Sequence, residues 1–181
     1  MIYTFLTDTD LKTAIRSDLL SQFAEDETKL TKYLKKTEKI AISQIKSKIR
    51  DRYDTNLIFP FIRNFNFGTQ YNFDDIVYYE GNFYVAQNAN IEKIPGEDDD
   101  WELHDVRNPL IVSYCVDITL FHLHKRINPR KIPELRKEAY KEALEWFEML
   151  KIGNESPDLP FLEDGEEYIP WGSNPQIEHI Y

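Results

Sequence analysis

The residues best suited to catalysis or metal binding are few in this chain, and their spacing suits neither purpose. His122 and His124 are two positions apart in an apolar stretch that predicts a helix. Their side chains therefore point in different directions and cannot share a metal as an i, i+4 pair does. His104 and His179 stand alone, and no serine or cysteine has an evident histidine partner. We predict neither a metal site nor a nucleophile with its base.

Four consecutive acidic residues, 97–100, are the other feature suited to a cation. A calcium loop alternates its acidic ligands and needs a glycine at its sharp turn, and this run has neither, so we expect a solvated loop. The six glycines are scattered singly, which leaves no glycine-rich loop to cradle a phosphate. We therefore predict that the protein is not an enzyme and uses no metal and no cofactor.

The single cysteine, Cys115, lies in an apolar helical pattern and is expected to be a small buried side chain. One cysteine cannot form a disulfide framework, which favours a reducing cytosol. The first six residues are followed at once by Asp8 and Asp10, so we expect neither a signal peptide nor a membrane span there. No other stretch approaches the roughly 20 apolar residues that a spanning helix needs.

Helical periodicity defines the N-terminal part of the chain. Thr7 or Thr9 is a suitable N-cap for a first short helix that ends near Glu25. A second start at residues 26–28 leads into a long helix with apolar residues at helical spacing, which is predicted to run to Tyr53. At 1.5 Å per residue, this helix would be roughly 40 Å long.

A second helical stretch begins at Asn108 and Pro109, because proline suits the first turn of a helix. Its residues are almost wholly apolar, which predicts a central helix, and residues 128–129 break it. Pro133 starts the last helix, and Gly153 is a plausible C-cap.

Between the two helical parts, residues 56–107, here called the insert, change to strand periodicity. Residues 76–79 and 83–86 predict a hairpin with a glycine-containing turn, and residues 101–103 predict a third strand. Eleven aromatic residues lie between positions 59 and 101, enough to give a small β-module a core of rings.

Residues 154–181 have no helical or strand period and contain several prolines. They nevertheless carry more large apolar side chains than a solvated disordered tail usually does. We predict an extended arm that lies in grooves of a neighbouring subunit, with a fold-back onto its own domain as the alternative. The expected contact residues of the arm are Leu159, Phe161, Leu162, Tyr168, Ile169, Trp171, Ile177 and Tyr181.

These patterns together predict a mainly α protein with a small β insertion. The expected parts are a discontinuous helical domain (residues 1–55 and 108–153), the β-rich insert, and the extended C-terminal arm (residues 154–181). The helical domain is predicted to be a four-helix bundle, and the insert a three-stranded module.

Charge is segregated along the chain, although the formal net charge of -10 argues against general nucleic-acid binding. Residues 26–53 carry nine basic and four acidic groups, and residues 125–151 carry eight and five. Residues 54–108 carry three basic and eleven acidic groups, and residues 152–181 carry seven acidic groups and no Lys or Arg. Opposite charges on different segments suit packing of one subunit against another, and solvated faces are the alternative.

The helical layout resembles that of the head-to-tail adaptor (connector) proteins of tailed bacteriophages. The resemblance rests on the short acidic-capped first helix, the long helix that ends at Ile49–Tyr53 (IRDRY), and the helix that opens at Asn108. The last helix, which reads AYKEALEWF over residues 139–147, completes it. The resemblance covers the helical residues up to Gly153 and does not include the insert.

This resemblance implies a ring of subunits, commonly twelve, docked beneath the portal vertex of the capsid. Such a ring joins the capsid to the tail and lets the genome DNA pass without specific binding. The implied partners are other copies of the chain, the portal protein and adjacent neck or tail proteins, with no membrane contact. The implied location is the virion neck, after assembly in the host cytoplasm.

The insert resembles small carbohydrate-binding modules related to chitin-binding domains, in the stretch 73–86 and again at 101–103. Those modules place an aromatic platform beyond the second strand, where this chain has residues 87–90 (QNAN). A structural decoration is therefore favoured, and a glycan-binding module is the alternative function. The aromatic core or sugar face of the insert would consist of Tyr78, Tyr79, Phe83, Tyr84 and Trp101.

A nucleic-acid-binding helical protein is a further alternative. It would use the lysines of the long helix, and its affinity would fall steeply with salt. The residues concerned are Lys32, Lys35, Lys36 and Lys39.

Overall fold

The computed structural model describes residues 4–153 and 157–162. Within them the chain forms a mixed structure with six helices and a four-stranded sheet. The helices are α1 (Asp8–Ala14), α2 (Ser17–Ser21), α3 (Glu27–Ile49), α4 (Thr55–Ile58), α5 (Pro109–Ile127) and α6 (Glu134–Ile152). The strands are β1 (Ile62–Asn64), β2 (Ile76–Tyr79), β3 (Asn82–Ala86) and β4 (Trp101–Leu103). No helix of the described residues is long and apolar enough to cross a membrane.

The predicted helix ends are largely confirmed, because each depends on local chemistry. Thr7 caps α1 in a reciprocal capping box with Asp10, and the side chain of Asp26 accepts a hydrogen bond from the third residue of α3. Asn108 caps α5, with proline at the first helical position. Gly153 ends α6 in the left-handed conformation, with φ of 78°.

The four-helix bundle is replaced by a scaffold of three long helices, α3, α5 and α6, with three short ones around them. The predicted first helix is split, because Ile15 has extended backbone and turns its side chain into the core. The long helix ends at Ile49 rather than at Tyr53. The chain then turns, so that the Tyr53 ring is fully buried beyond the end of the helix.

The scaffold core is mostly aliphatic and lies between α3, α5 and α6. The apolar residues of α3 recur at helical spacing and face α5 and α6, which bury their own stripes in return. Ile58 and Phe59, at the start of the insert, also pack in this core. Its largest fully buried side chains include Leu34, Ile45, Ile49, Ile111, Ile118 and Phe147.

The sheet has the strand order β1-β2-β3-β4. The β2–β3 hairpin turns at Glu80 and Gly81, which both have positive φ (47° and 92°), as a type I′ turn requires. The predicted third strand pairs with β3. The prediction of three strands is wrong, because β1 adds a fourth strand parallel to β2.

Both faces of the sheet are covered by aromatic side chains. The face toward the scaffold carries Ile62, Tyr78 and Phe83. The other face is roofed by the insert's own loops, and its buried side chains are Tyr71, Val77, Tyr84, Ala86 and Trp101. Phe65 stands edge-on to Trp101, with ring centroids 6.0 Å apart. The insert is therefore a single small sheet with aromatic side chains packed on both faces.

Candidate assembly surfaces

One buried guanidinium joins the insert to the scaffold. The side chain of Arg107 is only 4% exposed. Its Nη1 donates to Asp10 Oδ2 at 2.7 Å and to the Phe5 carbonyl at 2.8 Å, and its Nε and Nη2 donate to Asp105 at 2.9 and 2.8 Å. The guanidinium carbon lies 4.1 Å from the centroid of the Phe83 ring in β3. Hydrogen bonds to α1 and a cation–π contact to the sheet therefore meet at this single side chain.

The guanidinium of Arg107 stays positively charged in this position. Burial lowers the pKa of the guanidinium, but the hydrogen bonds from Arg107 to Asp105 and Asp10 outweigh burial and leave the pKa above its ordinary value. Arg107 thus remains a cation that holds two carboxylates, one from α1 and one from the end of the insert.

A second buried charged group, Glu38 of α3, fixes the segment that precedes α1. Its side chain is 1% exposed. Its Oε1 accepts the backbone N–H groups of Thr4, Phe5 and Leu6 at 3.2, 2.8 and 2.7 Å, and its Oε2 accepts the hydroxyl of Thr4. Because Arg107 binds the carbonyl of Phe5, this segment is held from both sides.

The five predicted insert residues mostly lie inside it. Tyr78 and Phe83 are buried on the scaffold side, with ring centroids 5.1 Å apart. Tyr84 and Trp101 are buried on the opposite side, and Tyr79 is partly buried beside them. The Trp101 indole N–H donates to the Lys93 carbonyl at 3.0 Å, so this donor is not available to bind a sugar. The set forms two ring clusters rather than one exposed platform.

The exposed rings of the insert are three phenylalanines that the sequence did not single out. Phe61, Phe67 and Phe73 have exposed fractions of 81%, 58% and 63%. Phe67 and Phe73 lie in turn-rich stretches with positive φ at Gly68 and Asp74. The turn residues next to Phe67 and Phe73 were the sequence feature that could have predicted their exposure.

The described part of the arm, residues 157–162, packs on its own scaffold. Leu159 is buried in the scaffold core, and the Phe161 ring stacks on Tyr53 with centroids 5.0 Å apart. Asp54 N donates to the Pro160 carbonyl at 2.9 Å, and Leu162 N to the Arg52 carbonyl at 3.0 Å. The side chains of Leu159 and Phe161 thus pack on their own scaffold, and a short antiparallel pairing of residues 160–162 with residues 52–54 holds the segment there.

The remaining predicted arm residues are outside the described part of the chain. They are Tyr168, Ile169, Trp171, Ile177 and Tyr181. Leu162, at the last described position, keeps 41% of its surface exposed.

Two residues that could have served in catalysis, Cys115 and His122, instead lie within the packed helices. Cys115 is fully buried, and burial raises the pKa of its thiol far above the ordinary value. His122 Nε2 lies 2.8 Å from Gln44 Oε1 in the seam between α5 and α3, and burial lowers its pKa. Across residues 4–153 and 157–162, no three His, Cys, Asp or Glu side chains are grouped to hold a metal.

A basic surface, here called the basic stripe, lies on the outer side of α3. It consists of Lys32, Lys35, Lys36 and Lys39, which are all exposed. Lys32, Lys36 and Lys39 are four and then three positions apart, so they share one helix face, opposite the buried residues of α3. Glu38, the acidic residue among them, points inward to the N-terminal segment. The stripe has no ion pair with any described residue.

An acidic surface, here called the acidic patch, lies on the insert. It consists of Glu80, Glu97 and Asp99, which are all exposed. All three basic residues of the insert are paired inside the molecule, Arg63 with Asp75, Lys93 with Asp98, and Arg107 with Asp10 and Asp105. No described cation is paired with the acidic patch.

Comparisons with protein-family models, with curated proteins and with solved structures found no match to this chain.

Proposed function

We propose that the protein is a structural virion component that forms an oligomeric ring at the neck of a tailed bacteriophage. The ring would connect the portal-bearing capsid to the tail and leave a channel for DNA. The subunit acts by packing against its neighbours and has no catalytic role. The layout that supports an adaptor-type bundle is the order of α1, α3, α5 and α6, interrupted by one insertion between α3 and α5.

The observation that carries this proposal is the presence of two opposite, unpaired charged surfaces on one subunit. Within the part of the chain that the structure describes, neither the basic stripe of α3 nor the acidic patch of the insert forms an ion pair. Surfaces that complement each other but not themselves favour heterologous, head-to-tail contacts, and such contacts close into rings when the rotation between subunits permits. In such a ring, the basic helix is used for subunit contacts and does not line the DNA channel.

Native mass spectrometry and negative-stain electron microscopy of the purified protein test the proposal. We expect a closed ring, with twelve copies as the proposed number, either alone or after addition of portal protein. A strict monomer under both conditions contradicts the proposal. A ring whose channel is lined by the exposed lysines of α3 contradicts the proposed role of the basic stripe.

Glycan binding is a second candidate, favoured by the exposed phenylalanines. The predicted sugar face is largely buried, so this function would have to use Phe67 and Phe73, because stacking on a sugar needs an accessible ring. A glycan array compared with the F67A/F73A variant tests it, and Y79A serves as a control on a ring that is partly buried. Equal binding, or none, for wild type and F67A/F73A removes this candidate.

A further inference from the structure

We infer that the basic stripe of one copy docks on the acidic patch of the insert in the next copy, head to tail. This inference rests on the proposed function, since it names the contact by which the proposed ring forms. It commits to a second copy of this chain as the occupant of the exposed face of α3.

The lysines of the stripe form no ion pair with any residue that the structure describes. Several other cations of the scaffold do have partners. Lys29 pairs with Glu25, Lys48 with Glu148 and Arg136 with Asp117. The stripe is instead a row about 10 Å long from Lys32 to Lys39, at 1.5 Å per residue. Like charges at this spacing on a helix repel each other, so an external anionic partner would relieve their repulsion.

The acidic patch is formed by two parts of the insert, the hairpin turn and the loop before β4. Burial raises the pKa of Tyr79 first, and the nearby charges of Glu80 and Glu97 raise it further. Tyr79 and Tyr84 share one face of the sheet, where the loop before β4 meets the hairpin turn. Gly96 lies against the Tyr84 ring, which fixes the loop in this position. Asp99 lies two positions beyond Glu97 in the same loop and adds a third exposed carboxylate.

Charge favours a second copy over nucleic acid as the partner of the stripe. The chain has a net charge of -10, so nucleic acid would be repelled by most of the remaining surface. A second copy supplies three carboxylates to the four ammonium groups, and at every subunit boundary the same two surfaces meet. Charge complementarity of this kind fixes register and partner choice.

Two charge-reversed variants test the contact. K32E/K36E/K39E makes the stripe acidic, and E80K/E97K/D99K makes the patch basic. Each variant alone should associate about tenfold or more weakly than wild type, because it brings like charges together. An equimolar mixture should associate again, since the acidic stripe of one variant meets the basic patch of the other in alternating order. The measurements are native mass spectrometry and sedimentation velocity at about 0.1 M salt, where charges are only partly screened.

The controls separate the contact from misfolding and from net charge. K125E/R130E/K131E makes the same change in charge outside the stripe and should associate as wild type does. Circular dichroism verifies that each variant is folded, and restored association in the mixture is not expected of misfolded chains.

Three outcomes overturn the inference. If either reversed variant forms wild-type rings, the contact lies elsewhere, although the proposed ring function stands. If the mixture of folded variants stays dissociated, the pairing of stripe and patch is wrong. If wild type shifts a 30-base-pair DNA duplex at low salt, K32E/K36E/K39E does not, and both form equal rings, the stripe binds nucleic acid. A wild type that remains monomeric also with portal contradicts the proposed function itself.

Discussion

The scaffold and the insert are stabilised by different kinds of side chain. The scaffold buries one large cluster in which Leu, Ile and Val side chains of three long helices predominate. The insert buries two small clusters, one on each face of a sheet whose strands are three to five residues long. Such short strands present few positions to a core, and an aromatic ring buries 150–250 Å² at one position. Aromatic residues thus give the small module a core that aliphatic residues could not.

The two regions also differ in how they depend on polar contacts. The scaffold packs through apolar surface, which tolerates modest changes of shape. The insert's hydrogen bonds to the scaffold converge on Arg107, beside the apolar contacts that Ile58 and Phe59 make with the scaffold core. We therefore expect the insert to be stable inside but sensitive at its attachment, and the variants below test this expectation from the largest effect to the smallest.

Arg107→Met should have the largest effect, about 3–5 kcal/mol of unfolding free energy, because it removes a buried cation and leaves the mostly buried carboxylate of Asp10 without its partner. Urea denaturation followed by circular dichroism measures this loss. Arg63→Met is the matched control, since Arg63 forms a partly exposed pair with Asp75 and should cost at most about 1 kcal/mol. Similar losses for the two variants would mean that Arg107 is not the main attachment.

Trp101→Ala should destabilise the insert by about 3 kcal/mol, since it opens a cavity among the rings of Phe65 and Tyr71. If the insert is a separate cooperative unit, amide hydrogen exchange should rise over residues 62–103 and change little in α3 and α5. Phe147→Ala, in the scaffold core, should instead raise exchange throughout the helices. Uniform loss of protection in both variants would show a single cooperative unit.

Glu38→Gln should cost about 1–2 kcal/mol, because the amide oxygen can still accept the backbone N–H groups of residues 4–6 but without the strength that the carboxylate charge gives. Glu38→Ala should cost more, since it leaves those buried donors unsatisfied. Thermal unfolding ranks the variants, and an equal loss in both would contradict the role of the oxygen acceptor.

The smallest effect should be a pH dependence carried by His122. Burial lowers the pKa of its imidazole, and Lys125 lowers it further, so the folded chain takes up this proton less readily than the unfolded chain. Stability should therefore fall as pH decreases through about 6.5, the ordinary value for histidine. His122→Gln should flatten this part of the stability curve between pH 5 and 7.5. An unchanged slope would show that His122 does not contribute.

Local chemistry explains which parts of the fold were predictable from the sequence. The caps at Thr7, Asp26, Asn108 and Gly153 depend on a few neighbouring residues, and the β2–β3 hairpin on its glycine turn. Strand β1 was missed because three residues, Ile62–Asn64, carry no periodicity, and its parallel pairing to β2 is not a local property.

The polar groups that organise the junction could not be found by pattern. Glu38 lies within a lysine-rich run and resembles a solvated residue, and its partners are more than thirty positions away in sequence. Arg107 and Asp10 are still farther apart. The functional predictions concern surfaces between molecules, and one chain shows its half of such a contact, as charge and exposure, without its partner.

The segment 157–162 has one further consequence. The carbonyl of Asp158 accepts a hydrogen bond from the Asn108 side chain at 3.3 Å, and that of Pro160 accepts one from the Asp54 backbone. Residues 158 and 160 are two positions apart in the chain, and thus at most about 7 Å apart. The chain therefore leaves the helices near Asp54 and returns to them near Asn108, at nearly the same place. The insert is thus a module whose two ends join the helices at one site. A short linker, or an unrelated module with adjacent termini, could take its position without rethreading the helical core.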